Sequence, residues 1–147
     1  MPGYSGTPLA AKLGIKAGHR IVLVSAPDEF DDVLGELPPD AVVSRSLPRS
    51  RRADVIVLFC GDEKSLAKGF DRAARALDFA GGLWVAWPKK SSGVKTDLDE
   101  NVVRAHGLAT GLVDNKVCAV TDVWSGLRFV YRVKDRPAKG ENTRVDR

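Results

Sequence analysis

Arg20-Ile21-Val22-Leu23-Val24-Ser25-Ala26-Pro27-Asp28-Glu29-Phe30 is the stretch whose reading decides the fold. Residues 20–25 run without polar alternation, the pattern of a strand buried on both faces, and Pro27 closes it. Leu13-Gly14-Ile15-Lys16-Ala17-Gly18-His19 leads into that strand. Where a strand-to-helix turn holds a nucleotide, glycines let the backbone approach the phosphates; Ser25-Ala26-Pro27-Asp28-Glu29-Phe30 has none. The stretch therefore predicts an architecture and withholds the usual cofactor cradle.

Working outward, Thr7 caps a short lead-in helix with Pro8 at its first position, and Leu9 to Leu13 ends at Gly14. Asp28 is placed to cap a second helix, with Phe30, Val33, Leu34 and Leu37 on one stripe and Pro38-Pro39 as its stop. Residues 41–45 read as a short strand, residues 54–60 as a second fully buried one. Leu66, Phe70, Ala73, Ala74 and Leu77 predict a helix over 63–79 that Gly81-Gly82 terminates, followed by a strand over 83–87. Thr96 or Asp97 starts the next helix, with Leu98, Val102, Ala105, Ala109 and Leu112 as its buried face and Gly111 at its end. Runs over 115–120 and 127–133 predict an antiparallel pair around a turn at 121–126. Strands alternating with helices require a three-layer, Rossmann-like α/β fold: a mainly parallel sheet of six strands ending in a hairpin. Residues 1–133 make one domain with a lead-in over 1–19, and the charged stretch 134–147 is expected to be disordered.

With 147 residues and 44% hydrophobic content, the chain suffices for one real core. The formal net charge of +4 hides segregation: residues 28–40 hold six acids and no base, residues 45–52 four arginines and no acid. Lysines also gather at Lys89, Lys90 and Lys95, and cations at Lys12, Lys16 and Arg20. Cys60 and Cys118 sit in or at the ends of apolar runs without zinc-ligand spacing, which predicts buried thiols and no metal. No secretory signal pattern is present and no apolar segment reaches the roughly 20 residues that span a bilayer, so a cytoplasmic protein with no membrane contact is expected.

The order of elements from Leu13 to Val133 resembles the class I, S-adenosylmethionine-dependent methyltransferase fold, whose last two strands form such a hairpin. That family's first motif implies an acid in the first strand and glycines after it, where this chain has Leu23, Ser25 and Pro27. Its ribose-binding acid would end the second strand, where Ser44 and Arg45 stand. Both departures imply a degenerate cofactor site, so no cofactor is expected. Tyr4-Ser5-Gly6-Thr7-Pro8-Leu9, Leu83-Trp84-Val85-Ala86-Trp87-Pro88-Lys89-Lys90, Val117-Cys118-Ala119-Val120 and Trp124-Ser125-Gly126-Leu127 are similar to the family of small bacterial proteins numbered 3052 among domains of unknown function. That resemblance covers residues 3–133 and implies the fold without implying an activity.

Ligands of open parallel sheets gather outside the strands' carboxyl ends, which converges Ser25 to Asp28, Cys60 to Asp62 and Trp87 to Lys95. Lys89, Lys90, Ser91, Ser92 and Lys95 precede a helix N-terminus and make a candidate anion site, with Trp87 and Asp28 as further ligand contacts. The plainer reading is a solvated loop. Trp84 and Trp87 point to opposite faces of one strand and pack under helices, whereas Trp124, in the hairpin turn, is the candidate exposed aromatic. Arg45, Arg49, Arg51 and Arg52 are candidate interaction residues for phosphates, or for the acidic segment 28–40 of the same or another molecule. No aromatic platform lies among them, which weakens nucleic acid as a partner. Cys60 ends a strand at the ligand edge, but neither His19 nor His106 is placed to activate it, so no catalytic residue is assigned. The leading expectation is a non-enzymatic binding or interaction module with an anion or nucleotide site at the strand carboxyl edge, taking a small anionic ligand or a protein partner. The alternatives are a divergent methyltransferase-like transferase and a basic binder of nucleic acid or acidic protein.

Overall fold

Ile21, Val22 and Leu23 are all but fully buried at the middle of a sheet, as an uninterrupted apolar run requires. The computed structural model describes residues 8–137. In chain order the strands are β1 (Arg20–Val24), β2 (Val42–Ser44), β3 (Ala53–Phe59), β4 (Leu77–Pro88), β5 (Leu112–Ala119) and β6 (Trp124–Tyr131). They form one six-stranded sheet in the order β2-β1-β3-β4-β6-β5. β2, β1, β3 and β4 are mutually parallel, while β6 runs antiparallel to both β4 and β5. This is the three-layer, Rossmann-like α/β architecture expected from the alternation of elements.

Helices α1 (Leu9–Lys12) and α2 (Phe30–Leu34) cover one face, and α3 (Glu63–Ala76) and α4 (Glu100–Ala109) the other. Period-2 geometry divides each central strand between the two cores: Ile56 and Leu58 pack with Leu66 and Phe70 of α3, Val55 and Val57 with Phe30 and Leu34 of α2. Trp84 and Trp87 separate in the same way, each on its own face as expected. Trp84 is fully buried, and its indole N–H donates to the Leu13 carbonyl at 3.0 Å, so the lead-in segment is tied to the sheet.

Several boundaries differ from the sequence reading. Pro8 holds the N-cap position of α1 itself, and Thr7 lies outside the described residues. Asp28 does not cap α2: the Phe30 amide donates to the Pro27 carbonyl, and Glu29, without a side-chain bond, is the N-cap. That helix ends at Gly35, whose φ of 75° breaks it before Pro38-Pro39 is reached. The larger correction concerns Gly81-Gly82, which stops no helix. Helix α3 ends at Ala76, and the glycines lie inside β4, which enters across an irregularity in its pairing with β3. A Cβ on Gly81 would stand 2.6 Å from the Asp54 carbonyl oxygen, so the missing side chain serves close strand approach.

Helix α4 likewise starts later, with Asp99 as N-cap accepting from the Val102 amide at 2.9 Å. Its buried face is Val103 and Gly107, while Ala105 and Ala109 are exposed. The hairpin is longer and tighter than expected, because Trp124 to Gly126 belong to β6 and Leu112 to Asp114 to β5. At the C-terminal side Val133–Asp135 form a 3-10 turn, and Arg136 donates to the Tyr131 carbonyl, so the described part of the charged tail is held to the fold. The expectation of disorder for 138–147 falls outside the described residues.

Candidate functional site

From β1 the chain passes to β2 on one side and returns through β3 on the other, so the sheet reverses between β1 and β3. A crevice outside the carboxyl ends of these strands is the place where such sheets hold ligands. β1 is followed by Ser25, a non-glycine residue with φ of 60°, a left-handed conformation that costs about 1–2 kcal/mol. Beyond it Asp28 is exposed, and α2 turns back over the sheet.

At the end of β3, the Cys60 amide donates to the Ala86 carbonyl at 2.8 Å, which seals the strand end. Burial, and secondarily the Asp62 charge, pushes the Cys60 thiol up to about 12, so it is no nucleophile at neutral pH. The next residues spend themselves on α3. Asp62 accepts from the Ser65 amide at 2.8 Å and from the Ser65 hydroxyl at 2.5 Å, bonds that hold its carboxyl below the ordinary carboxylate value. Asp97 reaches back across 34 residues to accept from the Glu63 amide at 2.7 Å, and the Thr96 hydroxyl donates to the Gly61 carbonyl at 2.7 Å. Two carboxylates thus occupy amides at the positive end of α3.

At the end of β4, Trp87 is 5% exposed and belongs to the core under α3 and α4. The Lys89 amide donates to the Val123 carbonyl, and Lys90–Ser92 form a 3-10 turn in which the Ser92 hydroxyl donates to the Lys89 carbonyl at 2.6 Å. Lys90 and Lys95 border an open depression of about 660 Å³ together with Asp62, Gly93, Asp97 and Leu98. The structure therefore brings Lys90 and Lys95 together beside the α3 N-terminus. Lys89, Ser91 and Asp28 do not line the depression, and Ser92 supports its loop from within. Asp97 escaped sequence reasoning because its partner is remote in the chain; locally it reads only as a helix start.

The arginine stretch is divided among separate tasks. Arg45 pairs with Asp31 at 2.8 Å, both exposed, so an internal partner exists for part of the acidic segment. Arg51 turns inward: its guanidinium lies 4.4 Å from the Phe79 ring centre and 5.0 Å from that of Tyr131, donates to the Ala74 carbonyl and hydrogen-bonds the Tyr131 hydroxyl. Arg52 borders a second depression, of about 370 Å³, with Arg20, Ser44, Ser46 and Pro48. Arg49 is exposed. Trp124 stands in β6 and packs edge-on against Phe59 with ring centres 5.1 Å apart, so the candidate exposed aromatic is partly buried, though less so than Trp84 and Trp87. Among the described residues no group of three or more His, Cys, Asp or Glu is placed to hold a metal ion, and no helix is long and apolar enough to cross a membrane.

Sheet order, helix layers and the closing hairpin define the Rossmann-like fold of S-adenosylmethionine-dependent methyltransferases. Solved structures similar to this chain include a TehB-like SAM-dependent methyltransferase from Corynebacterium glutamicum, with a TM-score of 0.53 and 12% identity over 88% of this chain and 90% of that one. A putative methyltransferase from Thermoplasma acidophilum matches at a TM-score of 0.54 and 8% identity, over 86% of this chain and 75% of its own. A SAM-dependent methyltransferase from Aquifex aeolicus matches at 0.51 and 14%, over 82% and 86%. No family model matches the sequence, and no curated protein matches it.

Proposed function

We propose that the protein is a binding module on a methyltransferase-like fold, taking a small anion or nucleotide at the carboxyl edge of the sheet and performing no methyl transfer. The observation that carries this reading is the open depression bordered by Lys90 and Lys95 beside the α3 N-terminus. Lys90 and Lys95 supply positive charge for a ligand's anionic part, and Asp62 and Asp97, whose carboxylates also cap α3, have further lone pairs to accept from its hydroxyl or amino groups. The turn after β1 has no glycine, and Pro27 and the single-turn α2 replace the usual cradle. On the same reading the chain is grouped with the uncharacterised family numbered 3052 through the motifs quoted above.

A divergent transferase is the second reading, favoured by the fold likeness and by the left-handed Ser25 at the crevice. Thermal unfolding with AMP, ADP, S-adenosylmethionine and its demethylated product separates the two, since a native-state ligand raises stability by mass action. The binding-module reading expects a nucleotide-dependent rise in Tm that Lys90→Ala/Lys95→Ala abolishes with little change in basal stability. A rise specific to S-adenosylmethionine favours the transferase, and no rise with any of them overturns both.

A further inference from the structure

On the face of the sheet carrying α1 and α2, at the end remote from α2, cations gather that none of the ion pairs among the described residues involves. Arg128 of β6 stands directly across from Lys116 of β5 in the strand register. Like charges directly opposite on neighbouring strands are unfavourable, a cost that a bound anion offsets. The Lys116 ammonium reaches the Lys12 carbonyl at the end of α1, 3.4 Å away, and the charges of Lys12 and Lys116 both bear on the neighbouring Cys118. Arg136, held at the Tyr131 carbonyl, is near enough to Arg128 to repel its charge.

The Arg128 guanidinium is half-buried and lies over Gly82, where a Cβ would stand 2.3 Å from its Nε. Burial, with Arg136 second, holds its pKa below the ordinary arginine value. Its one hydrogen-bond partner among the described residues is the neutral Asn115 carbonyl oxygen, at a long 3.4 Å. Asn115 is itself the extra residue where the β5–β6 pairing slips between Asp114 and Lys116, and such bulges re-aim side chains. None of the ion pairs among the described residues involves Lys12, Lys116, Arg128 or Arg136. Half-buried charge is ordinarily paired, and here a planar fork of donors is presented on a glycine notch with more cations around it.

We propose that Arg128, Lys116 and Arg136 form a site for a compact phosphate group, free or as a phosphate monoester, with Asn115 and Gly82 shaping it. The guanidinium fork donates to two phosphate oxygens, Lys116 and Arg136 neutralise the remaining charge, and the Asn115 amide group is a further donor. This site is separate from the lysine-lined depression and does not depend on the function proposed for it.

The test is titration calorimetry and thermal unfolding of the full chain with inorganic phosphate and with glycerol phosphate, at constant ionic strength set by sodium chloride. We expect saturable phosphate binding and a rise in Tm; Lys116→Gln weakens the affinity about tenfold, and Arg128→Gln abolishes it. Without phosphate, Lys116→Gln leaves Tm unchanged or raised, because it relieves repulsion, and this exposed variant guards against a folding defect at position 128. Tighter binding of glycerol phosphate than of inorganic phosphate assigns the monoester as ligand, and the reverse assigns the free ion. Lys90→Ala/Lys95→Ala keeps this binding, so failure at one site is distinguishable from failure at the other. Absence of phosphate binding, phosphate binding unchanged in Lys116→Gln and Arg128→Gln, or binding of duplex DNA alone overturns the proposal.

Discussion

At Gly107 one absent methyl group decides how closely α4 lies on the sheet. A Cβ there would stand 2.0 Å from a ring carbon of Phe129, which is fully buried. Helix propensity favours alanine at a mid-helix glycine by about 1 kcal/mol, but overpacking a dense core costs 1–3 kcal/mol or more, so the clash prevails. Gly107→Ala is expected to lower stability by about 2 kcal/mol in urea unfolding, with an unchanged m-value. Cys60 makes a pH prediction at the same scale. Its folded pKa is about 12 against an ordinary 9.0, so above pH 9 the unfolded chain loses a proton that the native state keeps. Stability from this residue is fully present below pH 9 and falls as pH rises towards 12. Between pH 7 and pH 10 the protein should lose about 1 kcal/mol more than Cys60→Ala does, and the native thiol should resist alkylation at pH 8. The buried thiol was legible in the sequence from the apolar run before it; the clash at Gly107 was not, because Phe129 is distant in the chain.

Among the elements, the two long helices are held at their starts by carboxylates, and two of the three caps, Asp62 and Asp99, act within three residues of themselves. Asp62 with Ser65 forms a reciprocal box readable at i and i+3, whereas Asp97 caps the same helix from another loop. Asp99 has the simpler task of accepting from Val102 at the start of α4. Asp99→Ala should cost about 1 kcal/mol, seen as a lower urea midpoint with the fold retained by circular dichroism. Apolar runs, helical stripes and turn residues located the six strands and four α-helices of the described chain, but not the 3-10 turns at Lys90–Ser92 and Val133–Asp135. They misplaced the elements' ends where glycine has two meanings: Gly81-Gly82 reads as a stop, yet in the tertiary structure it is the interior of β4, with Gly81 against the Asp54 carbonyl and Gly82 beneath the Arg128 guanidinium. Alanines were misassigned on α4 for a related reason, since Ala105 and Ala109 fit an apolar stripe but the helix is rotated to put Gly107 against Phe129.

Across the whole molecule, Arg51 joins parts of the chain that no local pattern connects. Lying against Phe79 and Tyr131 and donating to Ala74, it binds the β2–β3 connection to the end of α3 and to both β4 and β6. Arg51→Ala is expected to destabilise the protein by roughly 2–3 kcal/mol, and Arg51→Lys to recover little, because lysine lacks the planar fork. Arg49→Ala, at an exposed neighbour, should stay within about 0.5 kcal/mol of wild type in the same unfolding measurement. In sequence these arginines are equivalent members of one basic run.

The sequence by itself determined the layer architecture, because burial on both faces, helical stripes and the order of elements are properties of short windows read one at a time. It also determined that the turn after β1 has no glycine, a matter of composition alone. Only the tertiary structure decided which charges are free to meet a ligand. Arg51 turned inward, Lys90 and Lys95 onto an open depression, and Arg128 onto a glycine notch opposite Lys116. Charge pairing depends on distances between segments far apart in the chain, and those distances are set by strand order and register.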